Sequence, residues 1–348
     1  MSAWTGAVSE SQCAPTDFRA EKQRRISEKL QRELGPVIVG LLSEPAVIEI
    51  MLNPDGTLWV ERLGQGMDQF GAMASANAEA LISTVASTLR AEITRDNPIL
   101  ECELPLDGSR FEALIPPVVA APVFTIRRKA LKVFTLADYV DQGVMTEPQR
   151  ELICAGIQRR QNFLIVGGTA TGKTTLANAV IDQISQVAPD HRLVIIEDTA
   201  EIQCSAMNTV MLRSADKVDM TRLLKATMRL RPDRICVGEV RGPEALALLK
   251  AWNTGHPGGV GTLHANTAAA ALVRLGQLIQ EAGVPPQPEL IAEAVQVVIS
   301  IRRTSVAPGR VVEEIVRVTG YREGRFQVER IPRTYGTSRG AGTKPIPS

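Results

Sequence analysis

The chain has 348 residues, 44% hydrophobic and 22% charged, the make-up of a globular protein of about two domains rather than a fibrous or disordered one. Its 39 Lys+Arg against 38 Asp+Glu leave a net charge of +1, which offers no general electrostatic argument for nucleic acid or an anionic membrane as partner. No apolar run approaches the roughly 18 residues that cross a bilayer, and the N-terminus lacks the basic start and apolar core of a secretory signal.

Residues 1–16 are polar and expected to be disordered. Residues 17–34 are strongly charged, with Phe18, Ile26, Leu30 and Leu34 at helical spacing and Gly35 and Pro36 as a stop. So narrow an apolar stripe suits a helix laid on a surface, either its own domain's or a neighbouring subunit's. Two β-rich runs, 47–52 and 57–61, flank Asn53 to Gly56, where Pro54 and Gly56 suit a type I turn. A helix is expected over 77–95, then a second hairpin over 99–103 and 110–115, then a strand over 123–127. Hairpins and helices without strict alternation indicate an α+β N-terminal domain over 17–128.

Residues 129–146 read as a linker carrying a short helix at 135–142, and a helix follows over 147–160. From 163 onward short β-rich runs (163–166, 193–196, 235–237, 261–263) alternate with helical ones. That is the α/β pattern of a sheet covered on both faces, in a domain over 147–331. A hairpin around 322–324 closes it, and 332–348, rich in Gly, Ser, Thr and Pro, reads as a disordered tail. The five cysteines (Cys13, Cys102, Cys154, Cys204, Cys236) are scattered and form no C-x-x-C pair. This suits a reducing cytoplasm and argues against a disulfide framework or a structural zinc site.

Gly167, Gly168, Thr169, Ala170, Thr171, Gly172, Lys173 and Thr174 fit G-x-x-x-x-G-K-[ST] without a mismatch, between the apolar run 163–166 and a helical run beginning at Thr175. Strand, glycine loop and helix in that order form a phosphate cradle, with backbone N–H groups and a helix N-terminus facing the anion. The expected ligand is ATP. Lys173 would reach its β and γ phosphates, Thr174 would offer its hydroxyl to Mg2+, and Thr175 completes the loop set.

Hydrolysis also needs a carboxylate to activate water. Glu239, closing the run 235–239, is the candidate base, at the strand end where the crevice of an open α/β sheet lies. The acid usual one position earlier is Gly238, so Glu197 and Asp198, ending another strand, are the second acidic site. His264 closes the run 261–263, where it would sense the γ-phosphate or bridge to Glu239, or stay structural. Arginines form a third set: Arg110, Arg127 and Arg128 in the first domain, and Arg229, Arg231, Arg234 and Arg241 around the Glu239 strand. A guanidinium fork suits phosphate oxygens, although a solvated basic edge would give the same pattern.

Together these motifs resemble the secretion traffic ATPases of the type IV secretion and conjugation branch, the TrbB-type conjugal-transfer ATPases above all. The match is carried by the phosphate loop 167–174, the acidic box 195–201, the second nucleotide motif 231–245 and the histidine box 258–267, together with 107–111 and 125–129, and it covers roughly 35–330. The resemblance implies a homohexameric ring of two-domain subunits, each a RecA-like P-loop NTPase domain behind a smaller α+β domain. It implies Glu239 as base, Glu197 and His264 as members of their boxes, and Arg110 with Arg127 or Arg128 as cations reaching the phosphates. It also implies peripheral residence at the cytoplasmic face of the inner membrane beside other components of a conjugation or secretion machine. A pilus-retraction-type secretion ATPase is the alternative within the same superfamily. A RecA-like nucleic-acid motor is the rival class, disfavoured by the 4% aromatic content, and direct nucleic-acid binding is left open.

Overall fold

The computed structural model of the chain describes residues 15–62, 65–129, 133–215, 217–331 and 333. It divides into two compact units, Met1–Lys129 and Ala130–Ser348. The expected tails, 1–16 and 332–348, lie outside the described residues except at Pro15, Thr16 and Arg333.

In the first unit α1 (Pro15–Ser43) precedes a hairpin of β1 (Val47–Leu52) and β2 (Thr57–Arg62). Then come β3 (Met67–Ala72), α2 (Ser75–Leu89), β4 (Ile99–Glu103), β5 (Arg110–Leu114) and β6 (Val123–Arg127). The strands form an antiparallel sheet in the order β3-β2-β1-β6-β5-β4. Alternate residues, among them Ile50, Leu52, Val60, Phe111, Phe124 and Ile126, share one core with Leu81, Ile82 and Val85 of α2. That alternation is the period of two of a half-buried sheet.

Three elements of the first unit differ from the sequence expectation. Gly35 (φ 76, ψ 164) kinks α1 instead of ending it. Pro36 then opens a second helical segment, where its missing N–H costs nothing. The apolar stripe runs on through Ile38 and Leu41, so with Leu30 and Leu34 the helix packs on its own unit's core. Helix α2 stops at Leu89, well before 95, because Arg90 turns left-handed (φ 57) and its N–H closes on the Ala86 and Ser87 carbonyls. Strand β3 carried no signal, since its residues are almost all exposed and its side chains do not alternate.

The second unit contains α3 (Leu136–Asp141), α4 (Glu147–Gln158), β7 (Phe163–Gly167), α5 (Lys173–Val187), β8 (Leu193–Glu197) and β9 (Thr209–Arg213). After these come α6 (Met220–Thr227), β10 (Arg234–Val237), α7 (Glu244–Asn253), β11 (Val260–His264), α8 (Ala268–Gln280) and α9 (Pro288–Ala294). Last are β12 (Val297–Arg303), β13 (Arg310–Arg322) and β14 (Arg325–Ile331). The sheet order is β14-β13-β12-β7-β11-β10-β8-β9. Neighbours from β12 to β9 run parallel, and β13 and β14 add an antiparallel edge. Successive residues of β7 feed opposite cores. Leu164 and Val166 face the cluster built with α7 and α8, and Phe163 and Ile165 face the one built with α4 and α5. Each such fully buried side chain contributes about 1.5–3 kcal/mol.

The described part of the expected linker is not loose. Leu136, Tyr139, Val144 and Met145 belong to the same core as Ile165 and Leu176. Thr135 caps α3 through a reciprocal box with Asp138. Residues 130–132 lie outside the described residues.

The spacing of the parallel strands depends on Gly259. A Cβ there would sit 2.1 Å from Ile235 O and 2.2 Å from Trp252 Nε1, two atoms joined by a 3.0 Å hydrogen bond donated by the indole. Gly259→Ala should therefore cost about 1–3 kcal/mol of stability, seen as a lowered urea midpoint; an unchanged midpoint would contradict this packing.

Candidate nucleotide site

Because β7, β11, β10 and β8 run parallel, their C-terminal ends meet at one edge of the sheet. His264 is the register partner of Gly167, and Val237 that of Ile196. The phosphate loop leaves β7 at this edge. A Cβ on Gly167 would lie 2.3 Å from Ile301 O, so only glycine fits where the loop begins to turn. At its other end Gly172 adopts φ 96 as the N-cap of α5, a conformation that favours glycine. Thr171 Oγ1 donates to Gly168 O at 3.0 Å, closing the loop internally. Thr169 at the tip is exposed, and Ala170 takes φ 55.

Lys173 and Thr174 open α5, and Thr175 continues it. The buried Lys173 ammonium donates to Gly168 O at 2.9 Å and lies 3.4 Å from both ring nitrogens of His264. His264 Nε2 is in turn 2.8 Å from Glu239 Oε1. The other oxygen of Glu239 accepts from Arg241 Nη2 at 2.6 Å, while Arg241 Nη1 reaches Asp198 Oδ2 at 2.7 Å. The structure thus joins Lys173, His264, Glu239, Arg241 and Asp198 in one chain of contacts. Arg229 and Arg231 have no place in that chain, and Arg234 is buried away from it, donating to the carbonyls of Gly258 and Ile157.

Glu197 does a different job. Its Oε1 accepts from the backbone N–H groups of Glu201 and Ile202, at 3.0 and 2.8 Å. This folds the segment after β8 back over α5, where Gln203 N donates to Asn178 Oδ1 at 3.1 Å. The result brings Glu201 Oε2 within 3.0 Å of the Thr174 hydroxyl, which donates to it. Gly238 is the condition for this arrangement. A Cβ there would meet Glu197 Cγ at 2.9 Å and Oε1 at 3.0 Å. The space an acid at position 238 would take is filled by the Glu197 side chain from the neighbouring strand. Sequence reading missed Glu201, Arg241's particular role and Asn178. Glu201 was visible only as the last acid of its box, 27 residues from Thr174.

The first-unit arginines form a pattern of their own. Across the sheet the register runs Glu61, Glu49, Arg127, Arg110, Glu103 on β2, β1, β6, β5 and β4. Two arginines side by side, next to two glutamates side by side, cost stability that a mixed order would spare. Burial raises the Glu49 carboxyl above its ordinary range, and Arg127 and Arg110 oppose the shift. Arg128 points elsewhere: its guanidinium donates to the carbonyls of Glu44 and Val47, which ties the end of β6 to the α1–β1 corner.

Thr174 Oγ1 and Glu201 Oε2 are hard oxygen donors of the kind a divalent cation takes. The glycine loop, Lys173 and the α5 N-terminus fit a polyphosphate. Burial also pushes the Glu197 carboxyl up, against the two backbone N–H bonds it accepts. A carboxyl raised in the fold contributes stability that is complete below its unfolded value and is lost as pH rises through the folded one. Glu197→Gln has no such titration. Its unfolding free energy should therefore gain on the parent's as pH rises above the ordinary glutamate range, measured by denaturant titration; a difference constant with pH would contradict the buried carboxyl.

The model of the type II/IV secretion system protein family matches residues 31–323. The probable conjugal transfer protein TrbB of Sinorhizobium fredii is 56% identical over 305 residues, covering 88% of this chain and 93% of that protein. The conjugal transfer protein TrbB of Rhizobium radiobacter is 54% identical over 305 residues, covering 88% and 94%. Among solved structures, the pilus retraction motor PilT with bound ADP superposes with a TM-score of 0.59 over 86% of this chain and 83% of its own, at 18% identity, a likeness of fold. With a phosphate loop at the end of β7 and relatives more than half identical over most of its length, the chain belongs to the type II/IV secretion system protein family, is similar to the conjugal transfer proteins TrbB, and carries a RecA-like domain that follows a smaller α+β domain in sequence.

Proposed function

We propose that the chain binds ATP with Mg2+ in the loop 167–175, hydrolyses it, and uses the energy to drive assembly of, or substrate transfer through, a type IV secretion or conjugation apparatus. It works as a homohexamer at the cytoplasmic face of the inner membrane, held there by other components of the machine. The observation that carries the reading is the convergence of Lys173, Thr174, Glu201, Glu239, Arg241 and His264 at one edge of the sheet. The names of the relatives supply the conjugal context. Among the described residues no helix is long and apolar enough to cross a membrane, so the proposed membrane residence is peripheral.

Bound magnesium supplies charge neutralisation at the phosphate oxygens, and Thr174 and Glu201 are the residues that would hold it. Lys173 exchanges the Gly168 carbonyl for phosphate oxygens. Glu239 takes the proton of the attacking water, and His264 and Arg241, one on each of its oxygens, set the plane of the carboxylate; one of these contacts yields to the water. Arg110 and Arg127 are the first-unit cations assigned to the triphosphate, since Arg128 is used on carbonyls. Their release after hydrolysis, with a hinge in the expected linker 129–146, is the movement that does work.

The purified chain should release phosphate from Mg·ATP and reach the mass of six copies by native mass spectrometry. Lys173→Ala should lose at least about 100-fold in turnover while keeping its thermal midpoint. Arg110→Ala with Arg127→Ala should slow turnover more than it weakens nucleotide binding. Parental turnover in Lys173→Ala contradicts the site, and strong stimulation by DNA with strand separation would move the reading to a nucleic-acid motor.

A further inference from the structure

We propose that Arg310 is a nucleotide-binding residue that grips the phosphate nearest the nucleoside, so that ADP and ATP depend on it alike. The inference rests on the nucleotide reading of the phosphate loop and extends it to the opposite flank of that loop.

Arg310 is the first residue of β13, at the register position facing Arg303 where the β12–β13 hairpin returns to the sheet. Strand β13 lies two places from β7, on the side away from β11, a span of about 10 Å. The Arg310 side chain crosses that span. A Cβ built on Gly172 would meet its Nη1 at 2.5 Å, its Cζ at 3.5 Å and its Cδ at 3.6 Å. The guanidinium therefore lies against the last glycine of the phosphate loop, at the N-cap of α5.

Among the described residues Arg310 has no carboxylate partner; in the hairpin strands Arg302 pairs with Glu313, and Glu314 faces Arg330. A helix N-terminus repels a cation, and Lys173 adds a second positive charge one residue away. Two cations and a helix N-terminus brought together are stabilised by an anion, and the loop is built for one. The strand is held in place by backbone and buried contacts. Val312 N donates to Val144 O at 2.8 Å, and the fully buried Gln149 donates to Val312 O at 3.3 Å. A contact borne on so fixed an element loses little freedom when a ligand binds.

The sheet order says which phosphate. Glu239, His264 and the Glu197 loop with Glu201 come from β10, β11 and β8, all on one side of β7. If the terminal phosphate is cut on that side, the nucleoside end of a linear triphosphate leaves toward β12 and β13. Arg310 is the cation on that flank. Its fork makes charge-assisted hydrogen bonds to a phosphate present in ADP and ATP equally, whereas a group acting on the cut end would distinguish them.

The test is calorimetric titration of the full chain with Mg·ADP and with a non-hydrolysable Mg·ATP analogue. Arg310→Ala should weaken both by the same factor, about tenfold, and raise the KM for ATP with it. Arg310→Lys should recover part of the loss, and Arg302→Ala on the same hairpin should bind as the parent does. Parental ADP affinity in Arg310→Ala overturns the proposal. So does a loss confined to kcat or to the triphosphate, or an equal loss in Arg302→Ala. A parent chain that binds neither nucleotide, or a Lys173→Ala chain that binds both normally, would instead strike at the nucleotide reading itself.

Discussion

The confinement of β7 is the constraint on which the rest of the second unit depends. The strand is buried at every residue, paired on one side with β11 and on the other with β12, and roofed by apolar side chains on both faces. It cannot shift without opening two cores. The phosphate loop therefore springs from a fixed point, wedged against Ile301 O where Gly167 passes. Parallel pairing then places His264 beside that point and brings the ends of β10 and β8 to the same edge. Position, in this site, is a consequence of strand order.

The second constraint is one of volume. Position 238 has no side chain, and the Glu197 carboxylate fills the space. From there it accepts two backbone N–H groups and turns the following segment toward α5. That turn delivers Glu201 to Thr174. Charges then alternate around the edge: Lys173 and His264 near Glu239, Arg241 between Glu239 and Asp198. Each charged group has an opposite or polar neighbour close by, which makes a half-buried cluster of this kind tolerable. Arg310 stands apart from the alternation, on the far flank of the loop.

Much of this was readable before any coordinates. The phosphate loop declared itself because its chemistry demands a contiguous run of residues, and the alternating strands and helices around it gave the α/β class. Glu239 and His264 could be named because strand ends are legible from short β-rich runs such as 235–237 and 261–263. Glu201 and Arg310 were not, because neither is near the loop in sequence; only strand order and the Glu197 turn bring them there. Gly35 read as a helix stop, since local propensity does not know that Leu30, Leu34, Ile38 and Leu41 share one core across the kink. β3 escaped notice because an exposed edge strand has no buried face to impose alternation. Arg127 and Arg128, adjacent in sequence, could be separated only by seeing which one spends its donors on carbonyls.

The most direct test of the central claim is the chemical state of nucleotide bound to a Glu239→Gln chain. The substitution keeps the shape of the side chain and removes its basicity, leaving Lys173 and the loop intact. After incubation with Mg·ATP, the bound nucleotide is recovered and separated by chromatography. The account predicts intact ATP on the variant and ADP on the parent. Equal conversion to ADP on both chains would contradict the assignment of Glu239 as the group that activates water.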